Sequence, residues 1–164
     1  MNKVAIFIGS SSDFNVIEGA LKVFKDFDIP FILEVTSAHR TPERTKDLIR
    51  NFEESGGEIF IAVAGKAAHL AGVVASYTTC PVIGVPVGGS TVNGYDALLS
   101  TVQMPEGVPV ACMGIGKSGA INAALLSIQI LSVKDEFLKK KLINYRKEMA
   151  AQVEKSSEDV KGRL

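Results

Sequence analysis

Short apolar runs alternate with amphipathic stretches from the start of the chain to about residue 131. The apolar runs are rich in Val and Ile and are continuous, which is typical of strands buried on both faces of a parallel sheet. The runs are VAIFI (4–8), FILEV (31–35), IFIAV (59–63), VIGVP (82–86) and VPVAC (108–112). We therefore predict five strands in a parallel sheet.

Helical patterns fill the intervals between these runs. Asp13 is a candidate N-cap for the first helix. Pro42 suits the first position of the second helix, directly after Thr41. Further helices are predicted over about 68–77, 95–101 and 118–131. The repeated strand–helix order predicts an α/β fold with an open, doubly wound parallel sheet in the flavodoxin-like order.

The chain has 164 residues, which predicts one domain rather than a β/α barrel, since a barrel needs about 250 residues. Its core is expected to span about residues 1–133. A last helix over about 135–153 carries an apolar stripe but is followed by no strand. This stripe is expected to pack either on the chain's own sheet or on a neighbouring subunit, and the polar end after it is expected to fray.

Charge and composition exclude several classes of function. Eighteen basic and eighteen acidic residues cancel, so no global field attracts nucleic acid or an acidic membrane. The apolar runs are far shorter than the roughly 20 residues of a membrane span, and no cleavable signal is evident. We expect a soluble cytoplasmic protein. Cys80 and Cys112 lack metal-ligand spacing and are predicted to be buried free thiols, with a metal or redox role as the alternative.

Ligands of open α/β sheets bind beyond the carboxyl ends of the strands, so the loops there are the candidate sites. The first is GSSSD (9–13), whose hydroxyls and helix amides suit phosphate, with Asp13 able to accept a hydrogen bond from a sugar. The alternative is that Ser12 or Asp13 only caps the helix. In SAHR (37–40), Arg40 offers a planar fork to an anion and His39 carries protons near neutral pH. The alternative for His39 is a purely structural hydrogen bond.

Two more loops are predicted at the same edge. AGKAAHLAG (64–72) has small residues that let a ligand approach the backbone, and Lys66 adds a positive charge. The alternatives are a solvated Lys66 and a His69 that only occupies the first turn of a helix. PVGGS (86–90) is again rich in glycine. GIGKSG (114–119) has the wrong spacing for a P-loop and is predicted to be a turn into a helix.

Other chemistries are poorly supported by the sequence. These loops contain no pair of carboxylates, no metal-ligand spacing and no GxSxG nucleophile motif. The residues suit a small anionic ligand whose reaction needs proton transfer rather than a strong nucleophile.

In this order, GSSSD, SAHRTP, AGKAAHLAG, GVPV, VQMPEGVPV and IGKSGAINAALL resemble the class I N5-carboxyaminoimidazole ribonucleotide mutases of purine biosynthesis. The resemblance covers about residues 4–131. It implies a three-layer α/β/α fold and a homo-octamer in which the C-terminal helix packs on neighbouring subunits. It also implies isomerisation of the N-carboxylated ribonucleotide to 4-carboxy-5-aminoimidazole ribonucleotide, without a metal or an organic cofactor.

The resemblance also implies roles for individual residues. Phosphate and ribose binding falls to Ser10, Ser12, Asp13 and Arg40. His39 matches the general acid and base, and His69 matches a second histidine in the site. The loops around the aminoimidazole and the migrating carboxylate contain Ser37, Ala38, Gly65, Lys66, Ala67, Ala68 and Leu70.

The chain departs from the family pattern at three places. Lys66 stands where glycine is usual, and is expected either to strengthen anion binding or to block the site. Ala71 stands where proline is usual. The start of GGSTVNGYD differs from the usual QSXALXGXD.

Two alternative functions remain open from the sequence. The related class II form carboxylates aminoimidazole ribonucleotide directly with carbon dioxide, but it tends to carry SAHK where this chain has Arg40. The other alternative is a module that binds a ribonucleotide without turning it over.

Overall fold

The computed structural model describes residues 1–163, which contain one sheet of five parallel strands. The strands are β1 (Val4–Ile8), β2 (Phe31–Val35), β3 (Ile59–Gly65), β4 (Val82–Val87) and β5 (Ala111–Cys112). Their order across the sheet is β2-β1-β3-β4-β5. This is the flavodoxin-like order, in which the chain changes direction across the sheet between β1 and β3. The predicted three-layer α/β/α fold is confirmed.

Within the described residues, six α-helices connect or follow the strands. A short 3-10 helix (Ser11–Asp13) leads into the first of them. The helices are α1 (Phe14–Asp26), α2 (Pro42–Glu54), α3 (Leu70–Tyr77), α4 (Tyr95–Val102), α5 (Lys117–Ser132) and α6 (Glu136–Lys161). Pro42 opens α2 as predicted. Proline is suited to this position because the first N–H of a helix has no helical acceptor, so its absence costs nothing.

The segment GIGKSG is a turn into α5, as predicted. A Cβ at Gly119 would lie 1.7 Å from the carbonyl oxygen of Gly114. Only glycine allows the incoming loop to approach the helix this closely.

Apolar helix faces bury the sheet. On one face, the ring of Phe60 lies 5.0 Å from Phe52 of α2 and 5.7 Å from Phe7 of β1. Elsewhere α1 and α5 approach each other closely, since a Cβ at Gly19 would lie 2.9 Å from Ile121. All five residues of β1 are buried. Burial on both faces explains why β1, β3 and β4 appear in the sequence as continuous apolar runs. The edge strand β2 is only half-buried, and its last residue Val35 is exposed, so two-sided burial was wrongly predicted for this strand.

The fifth strand is shorter than predicted. The apolar run 108–112 contributes only Ala111–Cys112, which pair with Ile83 and Gly84 of β4. Pro109 interrupts the run and has no N–H for a sheet hydrogen bond. The strand also lies at the edge of the sheet, where short pairing is common.

The last helix is longer than predicted. It begins after Asp135, whose carboxylate accepts from the N–H groups of Phe137 and Leu138 at 2.9 and 3.0 Å. It continues to Lys161, so the prediction of a frayed polar end beyond residue 153 was wrong. Part of the reason is local pairing, because Lys161 binds Glu158 one turn earlier at 2.9 Å.

The chain divides into two compact units, one of Met1–Ser127 and a second that begins at Ile128. The candidate site described below lies in the first unit. In the second unit, α6 exposes several apolar side chains, namely those of Phe137, Ile143, Met149, Val153 and Val160. The single-domain organisation and the packing of α6 on a neighbouring subunit remain predictions.

Cys80 and Cys112 are free thiols, and both are half-buried rather than buried as predicted. Burial is the main cause that raises the pKa of each thiol. Within residues 1–163, no helix combines the length and the apolar character needed to cross a bilayer.

Candidate active site

The carboxyl ends of β1, β2, β3 and β4 surround one cavity of about 610 Å³. This volume is in the range of small-molecule sites. Each strand contributes the loop that follows it. Eleven of the residues predicted from the sequence line the cavity: Ser10, Ser12, Asp13, Ser37, Ala38, His39, Arg40, Gly65, Lys66, Ala67 and Leu70.

The loop after β1 is organised by a serine. The hydroxyl of Ser10 accepts from the N–H of Ser12 at 3.3 Å and from the Ser12 hydroxyl at 2.9 Å. Ser10 therefore caps the 3-10 helix, whereas the side chain of Asp13 makes no capping hydrogen bond to α1. The alternative that Ser12 or Asp13 only caps the helix was wrong. The Asp13 carboxylate instead lines the cavity.

Hydrogen bonds of threonine hydroxyls support the loop after β2. Thr36 and Thr45 are buried, and their hydroxyls are 2.7 Å apart. Thr41 precedes α2, but its hydroxyl bonds the loop rather than capping the helix. It accepts from the N–H of Ser37 at 3.0 Å and donates to the Ser37 carbonyl at 3.2 Å. These bonds fix the backbone from which His39 and Arg40 project.

The guanidinium of Arg40 connects two of the loops. Its Nη2 donates to the carbonyl oxygen of Gly9 at 3.1 Å, and its Nε donates to the Ser37 hydroxyl at 3.4 Å. The first bond places the Arg40 charge beside the serine-rich loop after β1. Hydroxyls, helix N-terminal amides and a guanidinium together form a suitable site for a phosphate.

The two histidines of the chain form a pair. Nε2 of His39 lies 2.8 Å from Nδ1 of His69, and the ring planes are nearly perpendicular at 82°. One ring must donate and the other accept, so two imidazolium rings cannot make this bond. The pair can therefore carry a transferable proton. His69 itself is not among the cavity-lining residues and reaches the site through His39.

The loop after β3 is a tight turn before α3. The N–H of Ala68 donates to the Lys66 carbonyl at 2.9 Å, and the N–H of His69 donates to the Ala67 carbonyl at 2.9 Å. Helix α3 begins at Leu70, two residues later than predicted. The predicted site residue Ala68 is 1% exposed and does not line the cavity.

The loop after β4 completes the cavity with Val87, Gly88, Gly89 and Ser90, to which sequence reasoning gave no individual role. The Ser90 hydroxyl donates to Asp96 at 2.8 Å and accepts from the N–H of Gly94 at 3.1 Å. The glycine-rich pattern of this loop indicated a candidate site. Individual residues were not assigned because, of these four, only Ser90 has a polar side chain. Gly9 and Ala64, which also line the cavity, were likewise not assigned.

These features agree with the comparisons to known proteins. The family model for AIR carboxylase matches residues 3–152. The chain belongs to this family. It is 53% identical over 149 residues to the N5-carboxyaminoimidazole ribonucleotide mutase of Pyrococcus abyssi, covering 91% of this chain and 84% of that protein.

Two further relatives cover nearly the whole chain. Identity to the N5-carboxyaminoimidazole ribonucleotide mutase of Methanocaldococcus jannaschii is 50% over 158 residues, or 96% of this chain and 97% of that protein. The crystal structure of Treponema denticola PurE is 27% identical with a TM-score of 0.85, covering 93% of this chain and 94% of that one.

One departure from the family pattern is accommodated by the fold. Ala71 lies in the first turn of α3, where amide groups have no helical acceptor and proline is also tolerated. Its side chain is buried in the core on the sheet. Alanine in place of the usual proline at position 71 therefore leaves the cavity lining unchanged.

Asp13 is expected to lower the stability of the fold at neutral pH. Burial raises the pKa of its carboxyl, and hydrogen bonds with the Ser10 backbone and the Ser12 hydroxyl oppose this only in part. The folded state then binds the proton more tightly than the unfolded state, so stability falls as the pH rises through the raised pKa.

We predict that Asp13→Asn increases the free energy of unfolding at pH 7, and that this gain shrinks as the pH falls toward 3.5, because wild-type Asp13 becomes protonated in both states. Urea unfolding between pH 3.5 and 7 measures the difference. Asp159→Asn, at an exposed position of α6, is the control and should show no such gain. Lower stability of Asp13→Asn at pH 7 would contradict the prediction.

Proposed function

We propose that the chain converts N5-carboxyaminoimidazole ribonucleotide to 4-carboxy-5-aminoimidazole ribonucleotide in purine biosynthesis. Membership of the AIR carboxylase family and the mutases among its relatives support this function. The observation that carries the mechanism is the hydrogen-bonded pair of His39 and His69, since His39 lines a cavity with anion-binding groups on the adjacent loop.

The substrate phosphate binds between the loops after β1 and β2. Ser10 and Ser12 supply hydroxyls, and Arg40 supplies a charge that the Gly9 carbonyl orients. The Asp13 carboxylate accepts a hydrogen bond from a ribose hydroxyl. It is available for this role because it makes no capping hydrogen bond to α1. The aminoimidazole then extends toward His39 and the loops after β3 and β4.

His39 transfers the proton in both steps of the reaction. When the N–CO2 bond breaks, its electron pair stays on nitrogen and His39 protonates that nitrogen. The ring carbon then attacks the carbon dioxide, and His39 removes the proton left on that carbon. One proton is given and one is taken back, so the imidazole returns to its starting state. An imidazole suits both directions because its pKa is close to neutral.

The remaining cavity lining suits retention of carbon dioxide. Ala38, Ala64, Ala67, Leu70 and Val87 present small or apolar side chains. A neutral gas has no charge by which a protein can hold it, so its escape is limited by enclosure and by exclusion of water. These side chains line the same cavity as His39.

We predict that His39→Asn lowers turnover of the N-carboxylated ribonucleotide by about 100-fold to 10000-fold, the usual contribution of a general acid and base. Asparagine preserves hydrogen bonding without carrying the proton. Product formation is followed by absorbance, and binding of the product by calorimetry. Binding within about threefold of wild type is expected; unchanged turnover would show that His39 is not the proton carrier.

We also propose that the chain forms a homo-octamer in the cytoplasm and that α6 packs on neighbouring subunits. Of the exposed apolar side chains of α6, those of Met149, Val153 and Val160 lie on one face of the helix and form a stripe. This stripe supports the assembly, since stripes of this kind are covered in oligomers. No nucleic acid or membrane partner belongs to the proposal.

The double variant Met149→Glu/Val153→Glu places charge on this stripe and is expected to shift the assembly to smaller species in sedimentation. Gln152→Glu, on the same helix, is the control and should keep the wild-type size. An unchanged assembly in the double variant would refute the role of α6. Fractionation of cells tests the location.

A further inference from the structure

Lys66 has an unusual backbone conformation for its residue type. Its φ is +55°, in the left-handed region. Within residues 1–163, the other non-glycine residues with positive φ are Asp28 and Asn93, whose short polar side chains tolerate this conformation. Lysine has no such advantage, and glycine would adopt the turn at lower cost. Strain of this kind, where it persists at a cavity, points to a functional side chain.

The fold itself makes no use of the Lys66 ammonium group. The backbone carbonyl of Lys66 accepts from Ala68, which any residue at this position would also allow. No hydrogen bond or ion pair within residues 1–163 involves the Lys66 side chain. The residue is exposed and lines the cavity. Its charge is therefore available to a ligand.

The cavity is lined by one arginine and one lysine, which lie in loops that follow different strands. Arg40 follows β2 and donates to the loop after β1, whereas Lys66 follows β3. Since β1 lies between β2 and β3, and neighbouring strands are about 4.8 Å apart, the two loops are rooted about 10 Å apart. Ser37 lies in the same loop as Arg40, and Ser10 and Ser12 lie in the loop after β1 that Arg40 binds, whereas the hydroxyl of Ser90 after β4 already donates to Asp96. This spacing suits a ligand with one anionic group at each end.

The surroundings of Lys66 distinguish the two ends. Its neighbours in the cavity, Gly65 and Ala67, have no polar side chains. From the loop after β4, Val87 is apolar and the hydroxyl of Ser90 already donates to Asp96. A phosphate needs several donors, which the serine-rich loop provides. A carboxylate beside a ring needs fewer donors and benefits from one charged partner.

We propose that the Lys66 ammonium binds the carboxylate of the substrate and of the product, so that the site prefers carboxylated ribonucleotides to aminoimidazole ribonucleotide. This role rests on the proposed function. The ion pair is lost when the carboxylate leaves as neutral carbon dioxide and forms again when the ring carbon captures it. Lys66 therefore stabilises the two carboxylated states relative to the intermediate that contains free carbon dioxide.

The test compares two ligands that differ by one carboxylate. Calorimetry measures binding of 4-carboxy-5-aminoimidazole ribonucleotide and of aminoimidazole ribonucleotide to the wild type and to three variants. Lys66→Asn removes the charge and tolerates the left-handed backbone. Lys66→Gly removes both the charge and the strain, and Lys66→Arg keeps the charge.

Lys66→Asn and Lys66→Gly are expected to weaken binding of the carboxylated ligand about fivefold, the scale of a partly exposed ion pair, and to change binding of aminoimidazole ribonucleotide less than about twofold. Lys66→Arg should stay close to wild type. Equal weakening of both ligands, or no change in either, would overturn the proposal. The proposed function fails separately, if the wild type forms no product from the N-carboxylated ribonucleotide.

Discussion

The parallel direction of all five strands is the constraint on which the site depends. Because the strands run the same way, every loop after a strand lies at one edge of the sheet. The order β2-β1-β3-β4 brings four of these loops around one cavity, although their residues are separated by up to about 80 positions in the chain. Burial of β1, β3 and β4 holds these central strands in the core, so the candidate site can be built from short loops with few polar side chains.

Hydrogen bonds between loops convert this common edge into a defined site. Arg40 bonds the Gly9 carbonyl and thereby joins the loops after β1 and β2, while His39 and His69 join the loops after β2 and β3. Buried Thr36 and Thr45 support the loop that provides both Arg40 and His39. The side chains proposed to act in the reaction are thus held by each other and by the strands, which limits the reorganisation that the proposed mechanism requires.

The sequence predicted the layers and most of the cavity because strand burial, helix starts and loop positions leave local patterns. It could not show that Thr41 bonds back to Ser37, that Ser10 rather than Asp13 caps the first turn, or that His69 reaches the site through His39, since each depends on spatial geometry. The glycine-rich loop after β4 was recognised without assigned residues because its contribution is mainly backbone. The end of α6 was misjudged because its polar composition concealed local ion pairing.

Retention of the migrating carbon is the central claim, and an isotope measurement tests it most directly. The purified chain is incubated with N5-carboxyaminoimidazole ribonucleotide carrying carbon-13 in its carboxylate, in unlabelled bicarbonate with carbonic anhydrase to exchange any escaped gas. The mechanism predicts that nearly all of the carboxylated product contains the label, as read by mass spectrometry against a protein-free control. Product that carries mainly unlabelled carbon would indicate direct carboxylation from solution, and absence of product would indicate a binding module; either result would contradict the mechanism.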